Sequence, residues 1–301
     1  MTQPHLSAHN HWQFGWGSQA FNFSDCDAEK FWYRFGTASR PTKNFKEECL
    51  IAARDIADKA GKQPIWVCFS GGIDGEVALR SFKQIGVQVN AVTIDFGSNT
   101  YDLKFAKEYC EQNNIRQIIL PLDVISFFKQ QVPEYLKQGY RTSSFWKYFQ
   151  LWMLQWICET QDGYPVVPVG EPVFKHDGDK IKVTMPSGHY LNFKYLMEHR
   201  RGGCPAFFYH TPELIHAYYS DEIVNYWLTT TGVPVKDTYW LERHMKVVLF
   251  HSYFPEMKLR IKMDGLEHLW TEIFRTHSLN QAEFAGKDAL LAHDIQEIIA
   301  M

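Results

Sequence analysis

Residues Ile65-Trp66-Val67-Cys68-Phe69-Ser70-Gly71-Gly72-Ile73-Asp74-Gly75-Glu76 set a short apolar run, a Ser-Gly-Gly turn and an acidic residue directly before a helical pattern. This order predicts a buried strand, a glycine-rich loop and a helix N-terminus in series. Such a junction gathers backbone N–H groups and the positive end of a helix dipole at one point, which suits an anion such as phosphate. Gly71 and Gly72 permit φ > 0 and a close approach of backbone to ligand. Ser70 adds a hydroxyl, and the Asp74 carboxylate is a hard oxygen donor of the kind Mg²⁺ takes.

The flanking sequence alternates. Asn44 with Glu47 caps a helix whose apolar positions are Phe45, Cys49, Ala53, Ile56 and Ala60. After the loop come a helix to about Gln84, a strand Val87–Ile94 ending at Asp95, a helix Asp102–Asn113, and a strand Gln117–Leu120. A helix Val124–Lys137, interrupted by Pro133, precedes a helix of about Ser143–Glu159 with Ser143 or Ser144 as cap. An apolar run Tyr164–Val169 then ends at Gly170-Glu171-Pro172. Strand–helix alternation predicts an α/β fold, a twisted parallel sheet with helices on both faces. Ligands of such sheets bind outside the carboxyl ends of the strands. Ser70, Asp95 and the Gly170-Glu171 corner all fall at that edge.

Past Pro172 the pattern changes. Phe174–Val183 and His189–Tyr195 read as strands, turning at Asp177-Gly178 and Pro186-Ser187-Gly188. Thr211-Pro212 opens a helix reaching about Thr229, and further helices are expected at Thr238–Ser252, Gly265–Phe274 and Asp288–Ala300. The expected organisation is an aromatic N-terminal extension (1–43), a nucleotide-binding α/β domain (44–172), and a hairpin with a helical C-terminal region (173–301). In the extension, Gly15-Trp16-Gly17-Ser18-Gln19-Ala20 imitates a dinucleotide fingerprint but lacks the strand before it and the helix after it.

Composition excludes several classes. The net charge of -3 over 301 residues gives no global attraction to nucleic acid or anionic lipid. The six cysteines form no CxxC, so a zinc ribbon or iron–sulfur site is not expected. Scattered thiols, a polar start without a signal-peptide pattern and no span-length apolar run point to a cytoplasmic chain that crosses no membrane. Aromatic residues make up 16% of the chain and are dense in the first 35 residues, which reads either as aromatic core or as a surface for a protein partner. Neither GxSxG nor GxxxxGK[ST] occurs. Thirteen histidines show no ligand spacing beyond the pairs His9/His11 and His244/His251.

Ser70-Gly71-Gly72-Ile73-Asp74 resembles the SGGxDS signature of the PP-loop ATP pyrophosphatases, the adenine nucleotide alpha-hydrolase-like superfamily of Rossmann-like, HUP-like folds. The sixth position, Ser in the signature, is Gly75. The resemblance implies ATP and Mg²⁺ as cofactors, cleavage of ATP to AMP and pyrophosphate, and adenylation of an acceptor, small or macromolecular. It also implies roles. Ser70 and the N–H groups of Gly71, Gly72 and Gly75 would cradle pyrophosphate, and Asp74 would bind Mg²⁺, making Ser70 and Asp74 the catalytic pair. Adenosine would lie near Ile94-Asp95-Phe96, with Asp95 open to the plainer reading of a strand-end turn residue. Gly170-Glu171 either meets substrate or a second Mg²⁺, or merely turns the chain. Of the basic residues Arg200, Arg201, Arg243, Lys246, Lys258, Arg260 and Lys262, the last two lie in a segment that looks like the basic tail of phage-encoded PP-loop proteins.

Departures narrow the resemblance. The cysteine motifs of phosphoadenosine phosphosulfate (PAPS) reductases, thiolating enzymes and 7-deazaguanine synthases are absent, and Thr2 replaces the glutaminase cysteine of asparagine synthetases. Two readings besides an adenylating enzyme stay open. One is a degenerate member that only binds nucleotide or serves as a structural, even virion, protein, motivated by Gly75. The other is a PAPS reductase-like enzyme using Cys204.

Overall fold

The computed structural model describes residues 36–140, 145–170, 190–230 and 238–258 continuously, residues 11, 142, 260 and 269 singly, and the short strands given below. Near the N-terminus β1 (Ser7–His9), β2 (Trp12–Trp16) and β3 (Phe31–Arg34) form an antiparallel sheet in that order. Gly15 and Trp16 of the pseudo-fingerprint lie in β2, paired with Trp32 and Phe31; its other residues fall outside the described ones. The His11 ring ties this region to the main body. Its Nδ1 accepts the Gly36 N–H (3.1 Å), so Nε2–H donates to the Tyr209 carbonyl (2.8 Å).

The main body alternates as the sequence predicts. It runs α1 (Phe45–Ala60), β4 (Ile65–Cys68), α2 (Ile73–Gln84), β5 (Asn90–Asp95), α3 (Thr100–Gln112), β6 (Arg116–Pro121), α4 (Val124–Lys137), α5 (Trp146–Thr160) and β7 (Tyr164–Val166). The Asn44 side chain accepts the Glu47 N–H at 3.0 Å and caps α1. The four strands form a parallel sheet in the order β6-β5-β4-β7. β4 is central and buried at every position, which explains its unbroken apolar run. Its alternation splits the core. Ile65, Val67 and Phe69 pack into one cluster with Ala53, Leu79 and Phe208; Trp66 and Cys68 pack into a second with Phe128, Tyr148 and Leu154. Each fully buried Leu, Ile or Phe contributes about 1.5–3 kcal/mol, so one strand pins both helical layers. The chain winds from β4 through β5 to β6 and returns to β7 on the other side of β4, leaving a crevice at the carboxyl end of β4.

Several boundaries differ from the sequence reading. α4 runs unbroken through Pro133, its buried Phe127, Phe128, Val132 and Tyr135 holding it to the core and Asp123 capping it. α5 starts at Trp146 without a side-chain cap; Ser143 and Ser144 lie outside the described residues. The hairpin forms as β8 (Val173–Asp177) and β9 (Lys180–Thr184). The expected strand His189–Tyr195, however, is the helix α6 (Tyr190–Glu198). Its period-two apolar residues conceal i,i+4 pairs, Leu191 with Tyr195 on one core and Phe193 with Met197 on the other. The single helix expected after Thr211 is two, α7 (Pro212–Tyr219) and α8 (Glu222–Thr230). Asp221 restarts the chain by accepting the Ile223 N–H (2.9 Å). Next comes α9 (Thr238–Tyr253). Within the expected helix Asp288–Ala300, β10 (Ala292–Asp294) is instead a strand paired with β9, because the β9 edge offers it backbone partners. The expected helix Gly265–Phe274 lies outside the described residues except for Leu269.

A buried polar chain links α1 to the segment after β7. His210 Nε2–H donates to Asp55 Oδ2 (2.5 Å), and Nδ1 faces the Cys204 thiol at 3.5 Å. Burial holds the His210 imidazole below its ordinary 6.5, leaving it neutral near pH 7. The His210 hydrogen bond, with Lys59, holds the Asp55 carboxyl down to about 2. In the unfolded chain the imidazole takes its proton near 6.5, and in the folded chain only lower, so stability is lost as pH falls below that value. The thermal unfolding midpoint is therefore expected to fall between about pH 7 and about pH 5, with a shallower slope in His210→Gln. Equal slopes in the two proteins would contradict this account. The Asp55 contribution is lost only between 3.8 and about 2, below that window.

Candidate active site at the carboxyl end of the parallel sheet

The loop after β4 is shaped by its neighbours. Phe69 extends the strand by one residue, donating to the Val92 carbonyl (2.8 Å) and accepting from Thr93 Oγ1 (2.7 Å). The chain then turns at Gly71 with φ +89°, and a Cβ there would lie 2.1 Å from the Asp102 carbonyl oxygen. Only glycine satisfies both conditions. Gly72 is the N-cap of α2 and brings no side chain to the task. The first intrahelical donor is the Glu76 N–H, bonded to Gly72 O at 3.2 Å. The N–H groups of Ile73, Asp74 and Gly75 thus precede the helix's own hydrogen-bond ladder, and Gly72, Asp74 and Gly75 line the crevice.

That crevice holds a cavity of about 160 Å³. Its polar half consists of Ser70, Gly72, Asp74 and Gly75 from the loop and α2, with Asn99 and Asp102 at the start of α3. Its other half is mainly apolar and aromatic, built from Cys68 of β4, Ile94 and Phe96 at the end of β5, Trp146, Phe149 and Met153 on α5, and Val167 to Val169 after β7, with Gln150 on α5 as its one polar side chain. The Phe96 and Phe149 rings stand 4.8 Å apart. Asn99 fixes the β5–α3 turn, donating to Ile94 O (2.9 Å) and accepting from the Phe96 N–H (2.8 Å).

Two cations from the C-terminal part reach the first turn of α2. Lys246 on α9 places Nζ 3.0 Å from Asp74 Oδ2, with both side chains largely buried. Arg260 donates through Nε to the Gly71 carbonyl (2.8 Å) and through Nη1 to Glu76 Oε2 (2.5 Å). Glu76 is buried and also paired through Oε1 with Arg80 at 2.6 Å.

Of the residues singled out in the sequence, Ser70, Gly72, Asp74, Gly75 and Ile94 come together around the cavity. Gly71 sits just behind them against Asp102. Asp95 does not line the cavity; its Oδ1 accepts the Gly97 N–H (2.8 Å), the turn role left open above. Gly170 lies beyond the wall at φ +115°, where a Cβ would meet the Tyr209 ring at 2.6 Å. Arg260 grips the loop from behind and does not line the cavity. Arg201 pairs with Asp162 at the surface. Glu171 and Lys262 lie outside the described residues. Sequence reasoning missed Asp102, Asn99 and the α5 wall. The signal for Asp102 was an acid in the first turn of the next helix at the same sheet edge.

Residues 65–134 match the family model described as "Queuosine biosynthesis protein QueC". No curated protein matches the chain. Among solved structures, a predicted subunit of tRNA methyltransferase from Methanocaldococcus jannaschii is 15% identical, covering 70% of this chain and 87% of its own, with TM-score 0.36. NMN synthetase from Francisella tularensis is 12% identical, covering 82% and 95%, with TM-score 0.36. NH3-dependent NAD synthetase from Campylobacter jejuni is 15% identical, covering 72% and 97%, with TM-score 0.34. Likenesses this loose bear on neither substrate nor reaction. The matched segment carries the Ser-Gly-Gly-x-Asp loop between β4 and α2, and this loop on its parallel sheet is similar to the nucleotide-binding unit of the PP-loop ATP pyrophosphatase superfamily.

Proposed function

We propose that the chain binds ATP with its phosphates on the Ser70–Gly75 loop, cleaves it to AMP and pyrophosphate, and thereby adenylates an acceptor. The observation that carries this reading is the two-sided cavity: helix-start N–H donors with Asp74 and Asp102 on one side, an aromatic slot on the other. The positive end of α2, equivalent to roughly half a unit charge, favours a polyanion there. A planar base suits the space beside Phe96 and Phe149.

The donor set fits Mg²⁺. Two carboxylates supply hard oxygens, and Mg²⁺ is ordinarily held by one or two carboxylates plus substrate phosphates. Among the described residues no cluster of three or more metal-ligating side chains occurs. When bound, Mg²⁺ supplies charge neutralisation for the departing pyrophosphate. The chain's own residues do the rest by position. Loop N–H groups hold the phosphates, Asp102 and Asp74 line the same cavity, and Lys246 sets a positive charge at Asp74.

Gly75 favours a second reading, nucleotide binding without turnover. A Cβ at Gly75 would stand 2.5 Å from Cδ2 of the buried Phe69 ring, so the signature serine cannot be accommodated as the loop is packed. One missing hydroxyl contact costs about 1 kcal/mol. The Gly75 backbone still faces the cavity, and for that reason we favour the enzyme. A thiol-dependent reductase finds no support. The five described cysteines are buried, and burial pushes the Cys204 thiol well up, away from the thiolate form.

Calorimetry with ATP and Mg²⁺ is expected to show saturable binding. With a small-molecule extract as the source of acceptor, the products are expected to be AMP and pyrophosphate. Asp74→Ala loses both activities; no binding at millimolar ATP, or ADP as product, overturns the proposal. Binding without pyrophosphate release selects the second reading. Gly75→Ser is expected to destabilise the fold by about 1–3 kcal/mol through overpacking. In a Phe69→Ala background the same substitution costs less, and equal costs in the two backgrounds would contradict the packing account.

A further inference from the structure

We infer that Arg260 is a positioning residue for the phosphate loop: it holds the Gly71–Gly72 peptide so that the Gly72 N–H faces the anion. This rests on the loop reading given under Proposed function and adds to it a residue that does not itself touch the anion.

Two arginines meet at the one carboxylate of Glu76. Glu76 is buried, and Arg80 already meets its charge with two hydrogen bonds to Oε1, from Nε (2.8 Å) and Nη2 (2.6 Å). Arg80 is itself anchored by Glu256 (3.1 Å) and lies over the Tyr109 ring. A second guanidinium is not needed to neutralise one carboxylate. What Arg260 adds is the Nε–H donated to the Gly71 carbonyl at 2.8 Å. Its Nη1 bond to Glu76 and its seat over the Phe105 ring (5.1 Å) fix the fork in that orientation.

The peptide it grips joins two glycines. Gly71 and Gly72 both lack Cβ, so rotation of the plane between them meets little steric resistance. In a trans peptide the C=O and the following N–H point to opposite sides, and the described residues include no cis bond. With the Gly71 carbonyl held toward Arg260, the Gly72 N–H is directed away from it. Gly72 lines the cavity; Gly71 and Arg260 do not. A flipped plane would turn a carbonyl oxygen toward the phosphates in place of a donor. Arg260 reaches this peptide from 189 positions further along the chain, so the C-terminal segment sets the donor pattern of the loop.

The test uses the full chain with glycine-selective ¹⁵N labelling and inorganic pyrophosphate with Mg²⁺ as probe. In the wild type both the Gly72 and Gly75 amides should shift on titration. In Arg260→Lys, which keeps a cation for Glu76 but not the two-pronged reach, Gly75 should still respond and Gly72 should not. Affinity should fall about tenfold, the scale of one hydrogen bond to a charged group. Arg260→Gln is the companion variant, with the same expected pattern. Wild-type affinity and an unchanged Gly72 response in a folded variant would overturn the inference. So would loss of both amide responses, or failure of both variants to fold, each of which marks a merely structural role. If neither amide responds in the wild type, it is the loop reading under Proposed function that fails.

Discussion

At Gly71 the chain leaves a fully buried strand with φ +89°, and its α-carbon presses against the Asp102 backbone so closely that a Cβ would stand 2.1 Å from the carbonyl oxygen. This contact brings the start of α2 and the start of α3 to one edge of the sheet. It places Asp74 and Asp102, residues from two successive crossover units, on the same cavity. It also frees the N-terminal N–H groups of α2 from any side-chain cap. Everything chemical about the crevice follows from that one left-handed turn and from the burial of β4 that fixes where it occurs.

The acids of the first turn of α2 are balanced from far along the chain. Lys246 meets Asp74, and Arg260 joins Arg80 at Glu76. Such partly buried pairs are costly to break, since removing one member strands the other away from water. The helical C-terminal part is thereby tied to the loop through charge as well as through the apolar packing of Phe250, Phe254 and Met257. With these cations the geometry of the loop depends on two distant parts of the sequence.

The strand–loop–helix unit was legible because its signals are local. An apolar run of four, two glycines and an acid at fixed spacing leave few alternatives, and the Asn44 cap and the strands ending at Asp95 and Pro121 follow the same logic. The misses were tertiary. Leu191, Phe193 and Tyr195 satisfy a strand period and a helix period at once, and only the two cores on either side of α6 choose between them. The break at Ser220-Asp221 needs the Asp221 cap to be seen in place. Asp102 and the α5 aromatics enter the site through chain winding, which no local pattern encodes. Gly75 read as a lost hydroxyl; in the fold it is also the room that Phe69 occupies.

The account stands on where phosphate binds. A crystal structure of the chain soaked with ATP and Mg²⁺ tests this most directly. The account predicts the β- and γ-phosphates within hydrogen-bond distance of the Gly72 and Gly75 N–H groups, with the base between the β5 end and α5. Phosphates bound elsewhere, with the Ser70–Gly75 loop empty, would contradict it.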